Sequence, residues 1–231
     1  MIRALIFDFD GLILDTELPI FQSWQELYQE YGFQLSFETW STIIGTANTD
    51  YNPLDELEKM LGRSLERENA ASRRWQREMD LIAEQPVLPG VHQTLQDARR
   101  LGLKIGLASS SSCKWVTGHL SRLGLADFFD AILASDDVVR TKPDPALYRE
   151  AAQALGVKPE QALALEDSPN GILAAKRAGL YCVAVPNFLT RRLPVNHADI
   201  CLDSLADMPL EQLLQAIDGL SKEPGDRALG S

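Results

Sequence analysis

The chain has 231 residues, in which 33 aspartates and glutamates outnumber 22 lysines and arginines and give a formal net charge of −11. This acidity does not favour nucleic acid or an anionic membrane as a partner, because both require a basic face. No apolar run approaches the roughly 18 residues of a membrane span, and the apolar N-terminal stretch is too short for a signal peptide and ends in acids. The three cysteines are far apart and form no CxxC pair, so we expect a cytoplasmic protein without a disulfide framework or a zinc site.

Short apolar runs predict the strands of a parallel sheet. From residue 88 onward they alternate with helical patterns that start at proline or stop at glycine, and this alternation is typical of an α/β fold. The predicted strands are residues 2–7, 103–108, 131–134, 162–165, 181–185 and a short 200–202, and the predicted helices are residues 91–101, 114–123, 145–155 and 169–178.

The region after the first strand has a different pattern. Residues 17–85 contain no strand-like run, and their apolar residues recur at helical spacing in four segments, near 20–31, 37–44, 54–61 and 70–82. We therefore predict an α/β core domain made of residues 1–16 and 87–220, interrupted by a helical domain of residues 17–86. The polar end, residues 221–231, is predicted to be a flexible tail.

Side chains that could take part in catalysis or ligand binding follow four of the predicted strands. The carboxyl ends of parallel strands meet at one edge of the sheet, which is where sites form in such folds. The residues are Asp8, Asp10 and Gly11 after the first strand, Ser109, Ser110, Ser111 and Ser112 after the second, Lys142 beyond the third, and Glu166, Asp167 and Ser168 after the fourth.

Four carboxylates brought together at one edge cannot all stay ionised without a cation, and oxygen ligands alone favour Mg²⁺. Serine hydroxyls and the amides at a helix start suit phosphate oxygens, and Lys142 can pair with the same phosphate. Each feature alone also has a plain structural explanation, such as a turn, a helix cap or a solvated lysine. Their joint placement at strand ends favours a site.

These residues resemble a known family. Asp8 to Glu17 reads DFDGLILDTE, which is similar to the DxDGxxxDT motif of the haloacid dehalogenase superfamily, and Ser109, Lys142 and Glu166-Asp167 match its next three motifs in order. The stretch from Leu165 to Gly179 resembles the subgroup of β-phosphoglucomutase and sugar-phosphate phosphatases. The resemblance implies an α/β fold with a Rossmann-like parallel sheet core and an inserted α-helical cap domain.

The resemblance also implies roles. Asp8 is the nucleophile that forms an aspartyl-phosphate, and Asp10 is the general acid and base. Mg²⁺ is held by the carboxylates of Asp8 and Asp167 and by the backbone carbonyl of Asp10, with Glu166 in or near the outer coordination shell. Ser109 and Lys142 hold the phosphate, together with Ser110 and Gly11. The expected activity is Mg²⁺-dependent hydrolysis of small phosphorylated metabolites, sugar phosphates above all. Independently of the resemblance, we take a monomer as the default oligomeric state.

The sequence departs from the mutase pattern at two positions. Ile20 stands where the mutase has a histidine, and Thr46 stands where it has an arginine. Both departures favour hydrolysis over phosphosugar isomerisation, and the acid at Asp10 disfavours a dehalogenase. A phosphosugar mutase remains an alternative, as does a non-catalytic phospho-accepting or binding module.

Candidate substrate contacts from the helical domain complete the set. They are Glu17, Thr46, Asn48, Arg73, Arg74 and Arg77. For the three arginines, a solvated helix face is the competing interpretation.

Overall fold

The computed structural model describes residues 1–41 and 52–220. Within them, a six-stranded, fully parallel sheet has the strand order β3-β2-β1-β4-β5-β6. The first strand is central, since it pairs with β2 on one side and β4 on the other, although both come much later in the chain. The strands are β1 (Ala4–Phe7), β2 (Lys104–Ala108), β3 (Ala131–Leu133), β4 (Ala162–Glu166), β5 (Tyr181–Ala184) and β6 (Ile200–Cys201).

Helices cover both faces of this sheet. They are α5 (Val91–Arg100), α6 (Cys113–Leu123), α7 (Ala146–Ala154), α8 (Pro169–Ala178) and α9 (Leu210–Leu220). Side chains of β1 alternate between the faces: Leu5 and Phe7 join the apolar cluster of α5, α6 and α9, whereas Ala4 and Ile6 join that of α7 and α8. A strand buried on both faces must be apolar throughout, which explains the continuous run at the N-terminus.

The helices between β1 and α5 form a separate layer with its own apolar cluster. We refer to α1 (Glu17–Glu30), α2 (Phe37–Ser41), α3 (Pro53–Leu61) and α4 (Arg67–Glu84) together as the helical layer. Its cluster is built on buried side chains such as Tyr28 and Leu57. Leu189 and Leu193, from the loop after β5, also belong to this cluster, so the layer packs against the sheet domain.

The predicted α/β fold with a parallel sheet is confirmed. Every predicted strand is present, and predicted helix stops at glycine are observed at Gly124 and Gly179, which adopt positive φ angles of 69° and 88°. Helix α9 was not predicted, although the spacing of its buried Leu210, Leu213 and Ile217 is helical. In the described ranges no helix is both long and apolar enough to cross a membrane.

Candidate active site

Asp8 lies at the carboxyl end of the central strand, where its backbone N–H still bonds to Leu165 of β4 at 2.9 Å. Its buried carboxylate accepts a hydrogen bond from the ammonium group of Lys142, which also contacts Oε1 of Glu166 at 2.6 Å. Lys142 therefore bridges two acids that come from neighbouring strands. All three side chains are almost completely withdrawn from solvent.

Glu166, the last residue of β4, is fully buried and has its oxygens occupied by protein donors. Oε1 accepts from Lys142 and, at 2.8 Å, from the hydroxyl of Tyr148. Oε2 accepts from the backbone N–H groups of Asp167 and Ser168 at 3.1 and 3.2 Å. Lys142 therefore lies between Glu166 and Asp8, and among the described residues no hydrogen bond joins these two acids directly.

Asp167 follows β4 and points toward the turn after β1. Its Oδ2 accepts hydrogen bonds from the amide of Asn187 at 2.8 Å and from the hydroxyl of Thr190 at 3.3 Å. Gly11 has a φ of +83°, and a Cβ there would lie 2.5 Å from the same oxygen. Glycine is thus required both by its backbone conformation and by the close approach of Asp167.

Asp10 faces the serine run and α6. Its Oδ2 accepts from the hydroxyls of Ser111 at 2.6 Å and Ser109 at 3.4 Å. Its Oδ1 accepts from the hydroxyl of Thr16 at 3.0 Å and from the indole N–H of Trp115 at 2.9 Å. Four donors therefore fix this carboxylate beside Asp8.

A cleft of about 360 Å³ joins these groups. Of the predicted site residues, Asp8, Asp10, Glu17, Ser109, Ser110, Lys142 and Asp167 line it. Ile20 also lines the cleft, at the position where the mutase pattern has histidine. Burial, reinforced by Asp10, Asp15 and Glu78, raises the pKa of Glu17 to about 7.

Within the described ranges, the cluster holds three buried acids, Asp8, Glu166 and Asp167, and a single buried cation, Lys142, so negative groups are in excess. Burial raises the pKa of Asp8 to about 8, with Glu166 and Asp10 adding to the effect and Lys142 opposing it. Burial and the negative charges of Asp8 and Glu166 raise the pKa of Asp167 well above its ordinary value. For Lys142, the carboxylates of Asp8 and Glu166 outweigh burial and raise its pKa.

The same charges fit a divalent cation. Carboxylate oxygens of Asp8, Glu166 and Asp167 all lie within 4.8 Å of one another. An oxygen-only donor set with excess negative charge is what Mg²⁺ prefers. Glu166 already has protein donors on both oxygens, which leaves Asp8 and Asp167 as the acids better suited to contact an ion directly.

The three arginines named as candidate substrate contacts lie in ion pairs within the helical layer. Arg73 contacts Glu30 at 2.7 Å and Arg77 contacts Glu26 at 2.7 Å, which joins α4 to α1. Arg74 pairs with Glu78 and lies 4.7 Å from the ring centre of Trp24. None of the three lines the 360 Å³ cleft, and a substrate role for them stays a prediction. Thr46 and Asn48 lie outside the described residues.

Several residues in direct contact with the site were not predicted. They are Thr16 and Trp115 beside Asp10, Asn187 and Thr190 beside Asp167, and Tyr148 beside Glu166. Asn187 and Thr190 follow β5, so the strand-end rule that identified the other residues could have found them.

Comparison with known proteins identifies the family. The model of the haloacid dehalogenase-like hydrolases matches residues 5–185. A Bacillus subtilis protein named "Putative phosphatase YhcW" is 47% identical over 218 residues, which cover 94% of this chain and 99% of the relative. Hexitol phosphatase B of Escherichia coli is 30% identical over 92% of this chain and 97% of its own length. β-Phosphoglucomutase of Bacillus subtilis is 31% identical over 91% and 93%, respectively.

Solved structures agree with this result. The crystal structure of CbbY from Rhodobacter sphaeroides in complex with phosphate has a TM-score of 0.69 and 31% identity, covering 90% of this chain and 96% of that one. The chain belongs to the haloacid dehalogenase-like hydrolase family. The predicted enzyme class, a hydrolase of phosphoric monoesters, is confirmed by the family and by relatives named as phosphatases.

Proposed function

We propose that this protein is a Mg²⁺-dependent phosphatase that releases phosphate from small phosphorylated metabolites, with sugar phosphates as the main class. One observation carries the proposal: the buried cluster of Asp8, Lys142 and Asp167 opens into the same cleft as Asp10 and the serine hydroxyls. The names of the hexitol phosphatase and of the other phosphatase relatives support this substrate class.

The proposed reaction has two displacements. In the first, a carboxylate oxygen of Asp8 attacks phosphorus and the bond to the leaving oxygen breaks, while Asp10 gives a proton to the departing alkoxide. In the second, Asp10 takes a proton from a water molecule whose oxygen attacks the same phosphorus. The bond between phosphorus and Asp8 then breaks, which regenerates the carboxylate and releases inorganic phosphate.

The residues around this chemistry have positioning roles in the proposal. Lys142 opposes the rise that burial causes in the pKa of Asp8 and so favours its nucleophilic, ionised form, and Glu166 holds the ammonium group in place. Ser109, Ser110, Lys142 and Gly11 are the proposed phosphate-binding residues, and all but Gly11 line the cleft. Residues 17–86, which include the helical layer, are the proposed cap domain, and helix α1 of that layer contributes Glu17 and Ile20 to the cleft.

Mg²⁺ would be held by Asp8, Asp167 and the backbone carbonyl of Asp10, with Glu166 nearby. When bound, it would supply positive charge that offsets the repulsion between the carboxylates and a phosphate dianion. The raised pKa values of Asp8 and Asp167 support this assignment, because two buried acids that resist ionisation gain most from a cation.

Phosphate release from a panel of sugar phosphates, nucleotides and phosphorylated acids tests the proposal. We expect turnover that requires Mg²⁺, is highest with sugar phosphates, and is abolished by Asp8→Asn with retention of the fold by circular dichroism. Asp207→Asn, an exposed aspartate, is the matched control and should leave turnover unchanged. Ordinary turnover by the Asp8→Asn variant would exclude Asp8 as the nucleophile.

The mutase alternative rests on the similarity to β-phosphoglucomutase. A sugar 1-phosphate supplied with Mg²⁺ distinguishes the two activities, since a phosphatase yields free phosphate and a mutase yields the 6-phosphate. The apolar side chain of Ile20 in the cleft favours hydrolysis, because it can neither donate nor accept a proton.

A further inference from the structure

Residues 187–193, the loop after β5, contact both the candidate metal site and the helical layer. We refer to them as the linking segment. The side chains of Asn187 and Thr190 turn toward Asp167, and those of Leu189 and Leu193 turn into the helical layer. The two sets alternate over a few residues, so one short stretch of backbone serves both sites.

The polar side fixes one oxygen of Asp167. The Asn187 amide donates to Oδ2 at 2.8 Å, and the Thr190 hydroxyl, which is almost fully buried, reaches the same oxygen at 3.3 Å. Two donors on Oδ2 select one rotation of the carboxylate and leave Oδ1 for another partner. Outer residues of this kind typically tune metal affinity by about 10–100-fold.

The apolar side is anchored in the helical layer. Leu189 is fully buried within the cluster of that layer. The ring of Phe188 lies 6.4 Å from that of Phe37 at the start of α2, and the guanidinium of Arg192 lies 4.3 Å from the centre of the Phe37 ring. Phe37 in turn packs edge-on against Phe21 of α1 at 5.9 Å.

Hydrogen bonds within the linking segment hold its residues together, so a displacement of Leu189 also displaces Asn187 and Thr190. Oδ1 of Asn187 accepts from the backbone N–H groups of Leu189 at 2.9 Å and Thr190 at 3.0 Å. The backbone N–H of Asn187 in turn donates to the Thr190 hydroxyl at 2.9 Å. Leu189 therefore cannot shift in the helical layer without moving the donors that hold Asp167.

We propose that the linking segment makes the orientation of Asp167, and hence the affinity for Mg²⁺, depend on the packing of the helical layer. Asn187 and Thr190 are positioning residues for Asp167, and Phe37 is the main contact through which the helical layer holds them. The inference rests on the proposed function only in taking Asp167 as a Mg²⁺ ligand.

The test is the dissociation constant of the full-length protein for Mg²⁺, measured by isothermal titration calorimetry. Thr190→Val keeps the shape of the side chain and removes its hydroxyl, and should weaken binding by about 10-fold. Phe37→Ala, which touches no residue of the metal site, should weaken binding by about fivefold. Phe33→Ala is its matched control, because Phe33 is a half-buried phenylalanine of the same cluster, and within the described part of the chain no ring contact joins it to the linking segment.

A second pair of variants tests the same contact without the cavity that Phe37→Ala would leave in the helical layer. Arg192→Ala and Arg63→Ala both remove one exposed positive charge, but of these two arginines only Arg192 lies on Phe37. We expect weaker Mg²⁺ binding for Arg192→Ala alone. Wild-type affinities in Phe37→Ala and Arg192→Ala would overturn the inference, even if Thr190→Val binds more weakly, while the proposed function stands. Absence of Mg²⁺ binding by the wild type would overturn both.

Discussion

The indole Nε1 of Trp115 lies 2.9 Å from Oδ1 of Asp10, which ties the first turn of α6 to the acid that follows β1. The ring of His119 packs edge-on against the indole, with the two ring centroids 4.4 Å apart. Trp115 also lines the cleft, so it meets both the proposed general acid and the space for a leaving group.

Replacement of Trp115 by Phe keeps a ring and removes the N–H donor. If Asp10 protonates the leaving group, looser orientation should slow the hydrolysis of alkyl phosphates by about 10-fold, equivalent to one hydrogen bond to a charged group. Hydrolysis of p-nitrophenyl phosphate should change less, because p-nitrophenolate needs no proton.

Asp10→Asn should show the same selectivity more strongly, with a loss of about 10²–10⁴ on alkyl phosphates. Equal losses of kcat/KM on both substrates in Asp10→Asn would argue against the acid role, because kcat/KM reports the step that expels the leaving group and not the later attack of water.

Gly171 lies in the first turn of α8 against Glu166, and a Cβ there would lie 1.8 Å from Oε1 of that carboxylate. Gly171→Ala should lower the free energy of unfolding by about 1–3 kcal/mol, despite the better helix propensity of alanine. Gly118→Ala in α6 is the control, because nothing lies within 4 Å of its added Cβ. That variant should be more stable by about 0.5–1 kcal/mol. Chemical denaturation measures the free energy of unfolding of both variants. A stabilised Gly171→Ala would contradict the close packing of Gly171 against Glu166.

Glu17 should make stability fall as pH rises. Burial, followed by the charges of Asp10, Asp15 and Glu78, raises its pKa from 4.5 to about 7. The folded state then holds the proton more tightly than the unfolded state, so the stabilisation is present below pH 4.5 and is lost as pH rises through 7. Glu17→Gln cannot ionise and should gain about 3 kcal/mol at pH 8 but only about 1 kcal/mol at pH 5.

Unfolding of this variant is compared with wild type in the presence of a chelator at both pH values. The exposed Glu150→Gln supplies the matched control and should show no pH-dependent gain. A gain for Glu17→Gln that is the same at pH 5 and pH 8 would show that Glu17 is not held in its protonated form.

Asp167→Asn should separate stability from metal binding. Burial beside Asp8 and Glu166 raises the pKa of Asp167, so removal of its charge should stabilise the metal-free protein by about 1–3 kcal/mol. Wild type should gain about 2.7 kcal/mol from Mg²⁺ at 100 times its dissociation constant, and the variant should gain almost nothing. Thermal unfolding with Mg²⁺ and with chelator measures both effects. Destabilisation of the chelated variant would contradict the charge imbalance described for this cluster.

The sheet and the principal acids could be predicted from the sequence because each rests on a local signal. Continuous apolar runs mark strands that are buried on both faces, and the rule that sites form at strand ends then brings Asp8, Asp10 and Asp167 together. Asn187 and Thr190 lay within reach of the same rule.

Trp115 lay beyond such reasoning. Its helical spacing with His119 indicates which face of α6 it occupies, but periodicity cannot tell an apolar core from the wall of a cleft. The arginines of α4 show a related limit. The Arg74–Glu78 pair has a four-residue spacing that can be read from the sequence, whereas the pairing of Arg73 with Glu30 and of Arg77 with Glu26 depends on how α4 packs on α1.

The stereochemical course at phosphorus tests the two-displacement reaction on Asp8 most directly. A sugar phosphate made chiral with oxygen isotopes is hydrolysed by the wild-type protein in isotopically labelled water, and the configuration of the released phosphate is determined. Each in-line displacement inverts phosphorus, so attack by Asp8 followed by attack of water predicts net retention. Net inversion would mean that water attacks the substrate directly, and would contradict the role of Asp8 as the nucleophile.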